Sequence, residues 1–301
     1  VREDQRMARF SPVTPGSRRL GKQLRLLREG RQLTMDHVAQ HVRSSPSRIA
    51  RIESGEIKVR AGAVMELLTA YGVPFDGEPG QSLLAMARNL GEPGWWQRYG
   101  TLSSKYATYI AYEEEARDAL LFEPTLIPGL LQTERYARTV ISVGRETDTE
   151  AIEQRLRARL KRQQVLTRSL RLQAVISEAA LMVEVGGEET LDQQLEHITK
   201  IASRPNVVIQ VLRYAAGAHL ATYGGFTVLE FPDDPTLGYI ETLAGDLFLE
   251  SPDYINRLAR AHENLRTLAL SPAESIKFIG ELRQWRTRGG RPPGQAMTAP
   301  V

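Results

Sequence analysis

Apolar residues in the first quarter of the chain recur at helical spacing, and polar breaks punctuate them tightly. Leu20, Leu24 and Leu27 share one face of a helix that Gly30 ends. Thr34 caps a second helix, with Val38, Ala39 and Val42 turned inward. After a break at Arg43-Ser44, Ser45-Pro46 starts a third. The serine accepts from the free N–H groups of the first turn, and proline at the first helical position loses nothing by lacking its own. Ile49 and Ile52 face inward there, and Gly55 stops the helix. A fourth helix over 61–72 places Val64, Leu67, Leu68 and Tyr71 on one side.

Between 73 and 94, Pro and Gly break the pattern repeatedly, leaving one short helix at 81–90 before Trp95-Trp96 and Tyr99. Further on, two periods interleave. Helices are predicted over 104–121, 133–143, 149–167, 188–203, 252–268 and 272–284. Strands are predicted over 170–176, 206–212, 225–231 and 237–243. Ser251-Pro252 and Ser271-Pro272 repeat the serine-proline start, and Glu274 completes a capping box with Ser271. Helices alternating with strands predict a layered α/β or α+β domain.

Composition narrows the class. The net charge of +3 conceals an asymmetry: residues 1–60 hold 14 Arg and Lys against 6 Asp and Glu, and the remainder holds 25 against 30. A basic front on an acidic body points to nucleic acid at one end. Cysteine is absent, which excludes a disulfide scaffold and a thiolate site. No apolar run reaches about 18 residues, so no membrane partner is expected and a cytoplasmic location is. The chain has no Gly-x-Gly-x-x-Gly, P-loop, His-Glu-x-x-His or Gly-x-Ser-x-Gly motif. No catalytic residue, cofactor or enzyme activity is therefore expected. His37 and His41 have the spacing of a zinc pair but no third ligand nearby, so no metal is expected.

The sharpest signal is Leu33 to Gly55. A helix-turn-helix needs a small residue where its helices cross, and Ala39 supplies it, with Ile49 as the buried residue of the second helix. The exposed face of that helix then carries Pro46, Ser47, Arg48 and Arg51, which can reach a major groove.

Leu33-Thr34, Ala39, Ser45, Ile49, Arg51-Ile52-Glu53 and Gly55 together resemble the XRE family of helix-turn-helix domains, the lambda Cro and repressor-like class. The resemblance implies base reading by Pro46, Ser47 and Arg51, with Arg48 on a base edge or a phosphate. It implies phosphate contacts at Ser45, at Met35 through its backbone N–H, and at Lys58 and Arg60. Arg28 and Glu53 match a structural ion pair of that family. One position departs: the family has glycine in the turn where this chain has Arg43, which predicts a strained left-handed residue or an altered turn.

In the second half, Pro128-Gly129 reads as a turn and Thr133 as the cap of a helix with Glu134 in its first turn, so Leu130, Leu131 and Tyr136 are packing residues. The string P-G-L-L-Q-T with Tyr136-Ala137-Arg138 resembles the WhiJ-like actinobacterial regulators, which join an XRE-type domain to a domain of unknown biochemical function. Glu113-Glu114-Glu115 is expected to be a solvated face, as is the basic run with Arg155, Arg157, Arg159, Lys161, Arg162, Arg168 and Arg171, whose alternative is a second nucleic-acid or anionic-ligand surface.

The expected organisation is a flexible arm at 1–16, an all-α helix-turn-helix domain at 17–73, a linker at 74–100, a larger α/β (α+β) domain at 101–285 and a disordered tail at 286–301. The expected function is sequence-specific transcriptional regulation as a homodimer on double-stranded DNA. The second domain then binds a small-molecule effector or a small partner protein, or mediates dimerisation. The alternatives are an antitoxin-like protein that autoregulates its operon and a DNA-binding module fused to an enzyme.

Overall fold

A reciprocal capping box opens the first helix. The N–H of Ser17 donates to Thr14 Oγ1 at 3.1 Å, and the N–H of Thr14 donates to Ser17 Oγ at 2.9 Å. Helix α1 (Pro15–Glu29) thus begins inside the stretch expected to be an arm. The structure, a computed structural model, describes residues 14–91, 94–144, 148–168 and 170–288, so the rest of that arm lies outside the described residues. The chain divides into two units, one ending at Glu115 and one starting at Ala116.

The first unit is all helical. It holds α1, α2 (Met35–His41), α3 (Pro46–Glu53), α4 (Ala61–Ala70), α5 (Gly80–Gly91) and α6 (Ser104–Glu115), with a 3₁₀ turn at Trp95–Arg98. Leu24, Val38, Ile49, Val64 and Leu68 form its core. Leu83, Leu84 and Ala87 of α5 belong to the same core, so much of the expected linker 74–100 is an integral helix. Its flanking Pro and Gly residues mark helix ends rather than a domain boundary. The acidic run on α6 is not a solvated face. Glu113 is buried and accepts from Tyr109 Oη at 3.1 Å, and Glu114 accepts from Trp95 Nε1 at 2.8 Å.

Two glycines set the approach of α1 to α3. A Cβ on Gly21 would lie 2.5 Å from the carbonyl oxygen of Ile52 and 2.6 Å from that of Glu53. Gly55, at φ +74°, would bring a Cβ to 2.6 Å from Arg18 Cα.

The second unit is α+β. Its six-stranded sheet runs in the order β3-β2-β1-β4-β5-β6. The strands are β1 (Asp118–Glu123), β2 (Arg171–Ser177), β3 (Val207–Leu212), β4 (Phe226–Glu230), β5 (Leu237–Thr242) and β6 (Gly245–Leu249). β1, β2 and β3 are parallel, and β4, β5 and β6 continue antiparallel. In β1–β2 register Asp118 faces Arg171, whose guanidinium hydrogen-bonds it and, with Arg117, holds its carboxyl below the usual range. Helices α7 (Glu134–Val143), α8 (Thr149–Arg162), α9 (Glu178–Met182), α10 (Glu188–Ile201), α11 (Pro252–Leu268) and α12 (Pro272–Arg288) complete it. Along one sheet face, Phe122, Val175 and Val228 pack with Ala261 and Leu265 of α11.

Three expectations change here. The helix predicted over 104–121 ends at Glu115, and its last part is the central strand β1. A strand buried on both faces reads as a continuous apolar run, which periodicity cannot separate from a buried helix. The helix predicted over 149–167 stops at Arg162 and tightens into a 3₁₀ turn at Gln163–Thr167. Strand β6 was not expected. At the chain end α12 continues through Arg288, and the remainder of the expected tail lies outside the described residues.

The edge at β3 is closed by side chains. Val211 donates its N–H to Ser275 Oγ at 2.9 Å and accepts from Leu270 N–H at 3.0 Å. The Ser271–Glu274 capping box that starts α12 is formed: Ser271 N–H donates to Glu274 Oε2 at 2.9 Å, and Glu274 N–H donates to Ser271 Oγ at 3.3 Å. Gly21→Ala is expected to destabilise the first unit by about 1–3 kcal/mol, because the new methyl meets backbone that cannot rotate away. Gly62→Ala, with open space around it, is expected to stabilise it by about 0.5 kcal/mol. Thermal unfolding of the two variants checks the pair.

Candidate nucleic-acid interface

Every element of the helix-turn-helix is held at its ends. Thr34 Oγ1 accepts from His37 N–H at 3.2 Å and starts α2. The turn that follows is a Schellman motif: Ser44 N–H reaches Ala39 O at 2.8 Å, and Arg43 N–H reaches Gln40 O at 3.4 Å. Arg43 occupies the left-handed position at φ 49°. Of the two options open for a non-glycine residue in this turn, the chain takes the strained one, at about 1–2 kcal/mol. Ser45 Oγ accepts from Arg48 N–H at 3.2 Å and starts α3, with Pro46 next.

Helix α3 presents two faces. Ile49, Ile52 and Glu53 are buried, and Pro46, Ser47, Arg48 and Arg51 are exposed together on the other side. Ser45 and Arg60 are also exposed, and Arg60 stands at the start of α4. The Ser45 hydroxyl oxygen is engaged in capping, but its proton remains available to a phosphate oxygen. Met35 supplies the first N–H of α2, one of those with no partner inside the helix, while its side chain packs on the core. Lys58 is only partly exposed. Burial lowers its ammonium pKa, and the Glu115 carboxylate opposes that shift. Arg51 Nε rests 3.5 Å from Glu56 Oε2, a weak pair between two exposed side chains.

The buried side of α3 is anchored by charge. Arg28 Nε and Nη2 donate to Glu53 Oε1 and Oε2 at 2.7 and 2.8 Å, a two-pronged pair with both side chains almost fully buried. Arg28 Nη1 also donates to Leu33 O at 2.8 Å, and Tyr71 Oη donates to Glu53 Oε1 at 3.3 Å. The hydrogen-bonded carboxylate raises the Arg28 pKa. Four segments thus meet on one carboxylate and one guanidinium. The family resemblance implied the pair but not Tyr71, which patterned as an apolar core residue. The His37 and His41 rings lie 4.4 Å apart, tilted by 42°, and His41 Nδ1 lies 2.9 Å from His37 O. Among the described residues no group of three or more His, Cys, Asp or Glu could hold a metal ion, and no helix is long and apolar enough to cross a membrane.

The family model of a helix-turn-helix domain matches residues 19–78, which take in α2, the turn and α3. The model described as a domain of unknown function, DUF5753, matches residues 106–281. The chain belongs to the DUF5753 family. No curated protein and no solved structure matches it.

Within the DUF5753 match, the P-G-L-L-Q-T string is a packing and hydrogen-bonding hub. Leu130, Leu131 and Tyr136 are buried, and Thr133 Oγ1 accepts from Tyr136 N–H. Gln132 Oε1 accepts from Arg159, and its amide donates to Ile127 O. Gln163 donates to the carbonyls of Gly129 and Gln132. Gln194, fully buried on α10, accepts from Thr133 N–H and donates to Leu131 O, both at 2.6 Å. The basic run is therefore not simply a solvated face: Arg159 and buried Arg162 of α8 turn inward, Arg171 of β2 is bound to Asp118, and Arg157 stays exposed.

Glu123 ends β1, where the sheet changes from parallel to antiparallel neighbours. Among the described residues its carboxylate has no hydrogen-bonded or ion-paired partner. Burial pushes its pKa up to about 7; Glu241 adds to the rise and Arg162 opposes it. His219 sits edge-on to Phe122 at 5.4 Å, and buried His262 faces Gln173 O at 3.2 Å with its pKa lowered by burial.

Two outcomes follow from these buried charges. Arg28→Ala leaves Glu53 uncompensated and is expected to destabilise the first unit by about 3–5 kcal/mol, and Arg28→Met with Glu53→Leu recovers most of it; urea unfolding checks both. A carboxyl whose folded pKa lies above its unfolded value supports folding while protonated. Glu123 thus favours the fold fully below about pH 4.5, and that support is lost as the pH rises through about 7. Glu123→Gln is expected to raise the melting temperature at pH 8 and leave it nearly unchanged at pH 5.

Proposed function

We propose that this protein is a sequence-specific DNA-binding transcriptional regulator of the lambda repressor-like class and WhiJ-like type. Helix α3 enters the major groove of each half-site, and two copies bind an inverted repeat with half-sites about one helical turn apart. The observation that carries this reading is the division of α3. Its polar face, with Ser47, Arg48 and Arg51, is solvent-exposed, while its other face is locked by Ile49, Ile52 and the Glu53 pair. A recognition helix needs that combination, because a free face reads sequence only if the bound face cannot rotate. The second unit serves as the part that receives an effector or a small partner protein, or that joins two copies.

Arg51 is the base reader in this scheme, through guanine O6 and N7. Arg60, Ser45 and the Met35 N–H hold phosphates, and Lys58 contributes less because it is partly withdrawn. The basic front of the chain adds general attraction, so binding falls steeply with salt.

The test is binding of the full chain to fragments of its own promoter region across a salt series. Specific binding with a steep salt dependence is expected; its absence at all salt concentrations overturns the proposal. Arg51→Ala should relax base preference at one position of each half-site, by about 1–3 kcal/mol. Arg60→Ala should weaken all sequences alike and flatten the salt slope, and Lys58→Ala should do so to a smaller degree. A uniform loss in Arg51→Ala would remove it from base readout.

A further inference from the structure

We propose that Arg43, in the turn of the helix-turn-helix, is itself a DNA-backbone contact, and that its guanidinium is the reason a strained residue stands there. This rests on the DNA-binding reading above and adds a contact that the resemblance does not supply, since the family has glycine at this position.

The turn itself makes no use of the side chain. Its closing hydrogen bonds, Ser44 to Ala39 and Arg43 to Gln40, run between backbone atoms. Glycine adopts a φ of 49° without penalty, and arginine does not. Among the described residues no hydrogen bond or ion pair engages the Arg43 guanidinium, and the residue is exposed. A backbone strain that no internal contact repays is the kind retained at binding sites.

Position supplies the second observation. Arg43 lies two residues before Ser45, the cap of α3. Together with Arg48 it lines a shallow cleft of about 220 Å³ that also includes Ser44, Ile49 and, opposite them, Glu66. Both residues are exposed and stand within three positions of Ser45, the cap of α3, so they share the start of that helix. A charge placed there meets the sugar-phosphate backbone that flanks the bases read by α3.

The molecule also contains a control. Gln32 ends α1 in the same way, with Leu33 N–H on Arg28 O, Gln32 N–H on Glu29 O and φ 56°. It carries similar strain and no charge.

The experiment uses the full chain on the promoter fragment it binds, with melting temperature and the salt dependence of affinity as readouts. Arg43→Gly is expected to raise the melting temperature of the first unit by about 3–6 °C as the strain is relieved. The same variant should bind on the order of tenfold more weakly at low salt, with the slope of log affinity against log salt reduced by about 0.9 per bound copy. Arg43→Lys should keep the slope. Gln32→Gly should gain stability with the slope unchanged. The proposal is overturned if Arg43→Gly gains stability and binds DNA with unchanged affinity and slope, or if Arg43→Lys loses as much as Arg43→Gly. A wild-type chain that binds no DNA overturns the functional reading itself, and this one with it. A chain that binds DNA but is indifferent to Arg43 overturns only this one.

Discussion

The first unit depends on one buried ion pair. Arg28 and Glu53 are both almost fully removed from water, and neither charge is tolerable there alone. Their two-pronged contact joins α1 to the end of the recognition helix. The additional bonds from Arg28 to Leu33 O and from Tyr71 to Glu53 bring in the α1–α2 loop and the end of α4. Hydrophobic packing alone would hold α3 against its neighbours yet permit it to slide or rotate, because apolar contacts are non-directional. A guanidinium–carboxylate fork fixes orientation as well as proximity. The glycine contacts act with it: Gly21 lets α1 come down onto the carbonyls of Ile52 and Glu53, which brings Arg28 within reach.

That anchoring explains how so short a helix keeps a fixed orientation. α3 has only eight residues, too few to be stable in isolation. Its start is set by Ser45 and Pro46, its end by Glu53, and its inner face by Ile49 and Ile52. The outward residues are free of structural duty apart from the loose Arg51–Glu56 contact. The turn before it takes a left-handed non-glycine residue, as the end of α1 does at Gln32, and here that residue is a long cation.

The second unit achieves rigidity by another route. Its central strand is buried on both faces, and the loop after it is held by amides rather than charges. Gln163, in the turn after α8, and Gln194, on α10, satisfy backbone groups of the P-G-L-L-Q-T segment, and Gln132 within it donates to Ile127 O. An amide both donates and accepts, so it can close a loop internally without the desolvation cost of an ion. Glu123 is a partly buried carboxyl at the end of β1, where the strand directions change, and Arg162 opposes the rise that burial gives its pKa.

Much of this was written in local sequence. Helix starts at Thr34, Ser45, Thr133 and Ser271, the buried face of each N-terminal helix, and four of the six strands follow from periodicity and capping chemistry, which act over a few residues. The helix-turn-helix and its exposed Ser47, Arg48 and Arg51 were legible for the same reason. What could not be read depends on partners far along the chain. Strand β1 looked like the end of a helix because its apolar run is defined by neighbours on both sides, β2 from 53 positions on and β4 further still. The helix at 81–90 was legible but was assigned to a linker, because only the packing of Leu83, Leu84 and Ala87 shows which side of a proline-glycine break belongs to the core. The acidic run at Glu113 and the basic run at Arg159 and Arg162 looked solvated because charge alone does not say which way a side chain points. Local propensity decided where the elements begin and end; the tertiary structure decided which charges are buried, because burial is a property of what stands opposite a residue and not of the residue itself.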